Sequence, residues 1–155
     1  MTEPVRIVFD VDCSGEQAFR LWTDRAHTWW PRTHRSARSS ATRVVFEPKV
    51  GGRIYERRPD GNEVDWGSIL TWMPPRNLVY RWHIFSGPGD ATEVEVWFHD
   101  NGDGTTKVDI EHRGWDAFPD AGERRDRNEE GWHGLISSYR SACAATSDRR
   151  SRRSS

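Results

Sequence analysis

Gly131-Trp132-His133-Gly134-Leu135-Ile136-Ser137-Ser138-Tyr139-Arg140-Ser141-Ala142-Cys143 decides how this chain is read. Trp132, Leu135, Ile136, Tyr139 and Cys143 stand at offsets 0, 3, 4, 7 and 11. That spacing puts them on one stripe of an α-helix. Upstream, Asp120 followed by Glu123 reads as an N-cap with its capping-box partner. The pattern predicts a helix from Ala121 to Ala145, about 37 Å long at about 1.5 Å per residue. Its first half, Glu123 to Glu130, is almost entirely charged. A helix with one apolar face must lie on something broad, and a sheet is the available platform.

The rest of the chain supplies such a sheet. Val5, Ile7, Phe9 and Val11 alternate with polar residues, the pattern of a half-buried strand. Ser14-Gly15-Glu16-Gln17 is a capping box opening a short helix through Ala18, Phe19, Leu21 and Trp22. A second short turn runs from His27 to Trp30, before Pro31. Residues 33–42 are rich in Ser, Arg and Thr without periodicity and read as an exposed loop.

Six strand-like runs follow, at about 43–47, 52–58, 62–73, 77–85, 92–99 and 104–113. They are separated by segments such as Pro59-Asp60-Gly61, Pro74-Pro75-Arg76 and Asn101-Gly102-Asp103-Gly104, built of the residues that tight turns demand. Short connections make neighbouring strands antiparallel. Seven strands spaced about 4.8 Å apart give a sheet about 29 Å across, comparable to the helix. The expected fold class is therefore α+β, one curved antiparallel sheet of six to seven strands around a long C-terminal helix.

Length and composition narrow the function. With 155 residues the chain is one domain of ordinary size. Its net charge of -1 gives no global field for nucleic acid or an anionic membrane. Only 34% of residues are hydrophobic, so the nine tryptophans must supply much of the core volume. Cys13 and Cys143 lack CxxC spacing and read as reduced thiols. The N-terminus has no signal-peptide pattern, and no apolar run approaches the ~18 residues of a membrane span. These features place the chain as soluble and cytoplasmic. Residues 1–146 read as a single domain. Residues 147–155, with Arg149, Arg150, Arg152 and Arg153 against Asp148, read as a disordered basic tail.

This order of strand, two short helices, antiparallel meander and long helix resembles the helix-grip fold of the START/Bet v 1-like (SRPBCC) superfamily. Local motifs are similar to those of the activator of Hsp90 ATPase homologue 1-like (AHSA1-like) family. They include Gly51-Gly52, Trp66-Gly67, the run from Pro74 to Trp82, Thr92-Glu93-Val94, Gly104-Thr105-Thr106, His112-Arg113-Gly114-Trp115 and Gly131-Trp132. The resemblance spans residues 5 to 145 and implies a sheet-plus-helix cavity for a small hydrophobic ligand. Bacterial members mostly have no assigned substrate, and superfamily relatives include polyketide cyclases and lipid carriers.

Within that frame Trp66, Trp72, Tyr80, Trp82, His112, Trp132 and Ile136 are the candidate ligand-binding residues. If Trp82 faces inward, so do Tyr80 and Ile84, by strand alternation. Aromatic walls with a few polar tips suit an apolar or aromatic guest, although indoles also serve as plain core. Trp29 and Trp30 are candidates for the pocket rim. Gly131 and Gly134 let the backbone approach the sheet or leave space beneath the helix.

His112 shares a strand face with Val108 and Ile110, which points it inward. It is a donor that orients a ligand carbonyl, a general acid or base, or a hydrogen-bonded core histidine. No His/Cys/Asp/Glu cluster has metal-site spacing, and no phosphate-binding or nucleophile-elbow motif is present, so no cofactor or metal is expected. The favoured function is binding of a small hydrophobic or aromatic molecule, without catalysis. The alternatives are a cyclase- or hydratase-like enzyme using His112, and a chaperone-associated or stress-response interaction module. Monomer and homodimer remain open.

Overall fold

A computed structural model describes residues 2–35, 42–83 and 91–153 of the chain, with side chains as far as Thr146. The elements are β1 (Val5–Val11), α1 (Gly15–Trp22), α2 (Ala26–Trp29), β2 (Arg43–Phe46), β3 (Arg53–Arg57), β4 (Glu63–Met73), β5 (Asn77–Trp82), β6 (Thr92–Asp100), β7 (Thr106–Arg113) and α3 (Ala121–Arg153). Single 3-10 turns, Arg32–His34 and Trp115–Ala117, follow α2 and β7. The seven strands form one curved antiparallel sheet in the order β1-β7-β6-β5-β4-β3-β2. β2 to β7 form a meander, as their short turns require. β1 and β2 are consecutive in sequence yet occupy opposite edges, so the segment carrying α1 and α2 crosses the whole sheet. Ser14 caps α1 as expected, its Oγ accepting from Gln17 N at 3.3 Å.

Two register shifts set which β4 side chains face the interior. Ile54 pairs with Gly67 while Tyr55 pairs with Asp65, which leaves Trp66 as an extra residue against β3. Ile69 pairs with Tyr80 while Thr71 pairs with Val79, which leaves Leu70 extra against β5. Such bulges shift the in-out parity. Trp66, Ile69 and Trp72 all turn toward the core in consequence, although strict alternation cannot place the three together. Gly67 sits at the first bulge, where a Cβ would lie 1.9 Å from the Arg81 carbonyl oxygen.

α3 runs past Ala145 to Arg153, 33 residues and about 50 Å. Residues 147–153, expected as disordered tail, continue this helix. The chain has no Gly or Pro after Gly134 to stop it. The stripe of Trp132, Leu135, Ile136, Tyr139 and Cys143 is buried as its spacing predicts. Tyr139 donates to the Ala18 carbonyl at 2.6 Å and so fastens α3 to α1. Cys13 and Cys143 are buried free thiols facing each other, and the hydrogen bond to Cys13 together with burial pushes the Cys143 thiol up.

The loop expected to be exposed at residues 33–42 departs from that reading at both ends. Arg35 is 3% exposed and Thr42 is also buried, and residues 36–41 lie outside the described residues. Arg35 donates to the carbonyls of Trp30, His27 and Thr42, and burial lowers its pKa against the opposing charge of Glu56. A fully hydrogen-bonded guanidinium tolerates burial, which composition does not reveal. The expected strand end at 83–85 differs as well. β5 ends at Trp82, and Ile84 and Phe85 lie outside the described residues. Among the described residues no helix is long and apolar enough to cross a membrane.

Candidate functional site

The interior between the sheet and α3 is built mainly of aromatic rings. Trp30, Phe46, Tyr80, Trp82 and Trp66 close a circuit, with successive centroids 6.2, 5.7, 5.5, 5.7 and 5.5 Å apart. Trp30 also reaches across it to Trp82 at 5.8 Å. A second group surrounds Trp22, which stacks on Trp132 at 6.0 Å and touches Tyr139, Trp29 and Phe98. Trp29 and Trp30, 5.2 Å apart, join the two groups. Edge-to-face and tilted contacts of this kind stabilise by about 0.5–1.5 kcal/mol per pair beyond area burial.

The structure thus brings Trp66, Tyr80 and Trp82 into one wall. Trp132 and Ile136 cover the interior from α3. Trp72 stands apart from the circuit, half-buried against Phe19 at 5.1 Å. Trp29 and Trp30 are not a rim. Both are buried, and their indoles donate to the carbonyls of Leu21 and His34. Trp22, Phe46 and Phe98 were missed in the sequence. For Trp22 the signal was present, since it lies on the apolar face of α1.

His112 sits inside a closed chain of hydrogen bonds. The Trp132 indole donates to His112 Nδ1 at 3.0 Å. An indole N–H only donates, so Nδ1 carries the lone pair and Nε2 the proton. Nε2 then donates to Thr92 Oγ1 at 2.6 Å, and Thr92 donates to the Trp82 carbonyl at 3.2 Å. The Trp115 ring lies 4.3 Å from the imidazole, and its indole donates to the His112 carbonyl. Burial lowers the His112 pKa to about 3, so the ring is neutral near pH 7. Both nitrogens are engaged by protein groups, the bonding of a core histidine that ties α3 to β6 and β7.

Thr92→Val keeps the shape and leaves the Nε2 proton unpaired. It is expected to cost about 1–3 kcal/mol. The measurement is a lower urea midpoint at unchanged slope.

Gly131 and Gly134 seat a side chain from outside the sheet. His34 donates from Nε2 to the Gly131 carbonyl at 3.0 Å, and a Cβ on Gly134 would meet its ring at 3.3 Å. The space these glycines leave is therefore taken up by His34, from the turn after α2.

Three buried polar atoms in the aromatic interior have no hydrogen-bond partner among the described residues. They are Trp22 Nε1, Trp66 Nε1 and the Tyr80 hydroxyl. Burial raises the Tyr80 pKa, and the neighbouring Trp22 indole works against that rise, although the two complete no bond of normal geometry. By contrast, an outer-face groove of Arg6, Glu95, Trp97, His99, Asp109 and Glu111 has its charges largely paired. Arg113 bridges Glu93, Glu95 and Glu111 there.

Solved structures place this arrangement among known folds. The anthrahydroquino-γ-pyrone synthase Txn09 is 34% identical over 87% of each chain, with a TM-score of 0.58. CalC, a self-sacrificing resistance protein from Micromonospora echinospora, is 28% identical with a TM-score of 0.70, covering 93% of this chain and 96% of its own. An HSP90 activator from Plasmodium falciparum is 19% identical with a TM-score of 0.62, covering 86% and 90%, and shares the fold. No curated protein sequence matches. The family model of the activator of Hsp90 ATPase homolog 1-like proteins matches residues 12–140, and the chain belongs to that family.

Proposed function

We propose that this protein holds a small planar aromatic molecule in the interior between the sheet and α3. The observation that carries the reading is the five-ring aromatic circuit with unpartnered polar atoms in and beside its wall. A purely structural core pairs or excludes such atoms, because each costs about 1–3 kcal/mol when buried without a partner. Likeness to Txn09 supports it, since that protein is named as the synthase of a fused-ring pyrone. The rings touch one another, so a guest enters by parting them. Apolar area buried at about 25 cal/mol per Å² has to offset that rearrangement and the ordering cost.

The test is a titration with fluorene, a flat neutral three-ring probe. Saturable quenching of indole emission and a rise in Tm are expected. An unchanged Tm and linear quenching across neutral aromatics of two to four rings would overturn the reading.

The synthase likeness also favours a second reading, a cyclase-like enzyme on the same interior. His112 does not serve it as a base, because the Trp132 indole occupies its lone pair. Any catalysis would rest on polarising a ligand carbonyl through Tyr80 and the indoles.

A further inference from the structure

Resting on the binding reading above, we infer that the guest is a neutral molecule bearing a ring carbonyl, whose oxygen is received from among the donors Tyr80 Oη, Trp22 Nε1 and Trp66 Nε1, which complete no hydrogen bond of normal geometry among the described residues. Trp22, Trp66 and Tyr80 are each 0% exposed, so bulk water does not satisfy them. Two of the three groups are indoles, which only donate, and the phenol donates equally well. The complement to such a set is an oxygen acceptor, not a donor.

The charge of the guest follows from the same surroundings. An anion needs a counter-charge in a low-dielectric interior, and the groups at hand do not supply one. His112 is neutral, and Arg35 is turned onto the carbonyls of Trp30, His27 and Thr42 beside Glu56. Aromatic faces also attract quaternary ammonium ions. N–H and O–H dipoles that complete no hydrogen bond among the described residues favour an oxygen over a cation.

The donors are fixed by long-range structure and not by their own strands. Trp22 rides on α1, Trp66 occupies the extra position of the β3–β4 bulge, and Tyr80 pairs with Ile69 two residues from Gly67. Phe46 and Trp82 flank Tyr80 at 5.7 and 5.5 Å and hold the phenol between them. A planar guest sliding between these faces would bring its edge, where a ring carbonyl lies, to the Tyr80 hydroxyl.

The experiment compares fluorenone with fluorene, the same skeleton with and without a carbonyl, on the wild type and on Tyr80→Phe. Fluorenone is expected to bind the wild type about tenfold more tightly than fluorene, the range one or two added hydrogen bonds give. Tyr80→Phe should shrink the fluorenone-over-fluorene preference several-fold, read as the ratio of the two affinities on each protein. Equal affinity for both probes would overturn the inference while the binding reading stands. Failure of both to bind would overturn the two together.

A ligand-free control is independent of the probe. Removing an unpartnered hydroxyl should leave Tm unchanged or slightly higher. A fall of more than about 3 °C would show that the hydroxyl is already paired within the protein and would also overturn the inference.

Discussion

Between pH 6.5 and about 4.5 the wild-type protein is expected to lose about 2 kcal/mol of stability through His112 alone, the slope steepening toward about 1.4 kcal/mol per pH unit. In the unfolded chain this histidine takes up a proton near pH 6.5. In the folded chain, burial holds its pKa at about 3. Across that interval the excess of protons on the unfolded state rises from about one half to about one, so stability falls with falling pH. The contribution is fully present above pH 6.5 and is lost as the pH drops toward 3.

The carboxylates whose pKa values are lowered, among them Asp100 by the Gly15 and Gly102 amides and Asp120 by Arg124, add losses of the same sign only below about pH 4. The window from 6.5 to about 5 therefore isolates the imidazoles, His112 and, with its pKa also lowered by burial, His27. Urea denaturation at several pH values should give a steep slope there for the wild type. His112→Gln should be less stable at pH 7, by about 2–4 kcal/mol, because Trp132 and Thr92 lose their shared partner. It should also be visibly flatter below pH 6.5. A mutant as pH-sensitive as the wild type would mean that another group carries the effect.

Gly67→Ala is expected to be the most damaging single methyl added to this protein. The new Cβ would stand 1.9 Å from the Arg81 carbonyl oxygen, and that oxygen belongs to backbone on the neighbouring strand. A flexible side chain can rotate away, but here β5 must move. Tyr80 and Trp82 flank Arg81, so the displacement passes directly into the aromatic wall. A cost of about 3 kcal/mol or more is expected, at the upper end of overpacking effects. For a domain of this size that lowers Tm by about 6–12 °C. Near-UV circular dichroism should weaken with it. Gly61→Ala is the control, since a Cβ at Gly61 has nothing within 4 Å and the cost there comes from its positive φ alone.

The architecture was legible because its signals are local. Alternation marked the strands, Gly and Pro marked the turns, and the 3-4-7-11 spacing marked the inner face of α3. The inward aim of His112 followed from parity with Val108 and Ile110.

What escaped the sequence was carried by contacts between distant residues. His34 lies against Gly131, 97 positions away, and nothing near either residue announces it. Whether His112 is a working base or a tied-down core residue depends on Trp132 and Thr92, each 20 positions away. Bulges at Trp66 and Leu70 changed strand parity where alternation alone would have kept it. The loop after α2 looked exposed because its composition is polar, and only the three-dimensional partners of Arg35 explain why that residue is buried.

The tryptophans also have an optical consequence. Trp132, Trp22, Trp29, Trp30, Trp66 and Trp82 form an unbroken path with successive centroids 6.0, 5.8, 5.2, 5.5 and 5.7 Å apart. Chromophores this close exchange excitation, so light absorbed by any one of them is shared along the array. The emission belongs to the lattice and not to a residue, and one quencher lodged at either end darkens the whole chain. Exciton coupling among the same indoles adds its own bands to the far-ultraviolet dichroism, which makes that spectrum a gauge of side-chain order as much as of helix content.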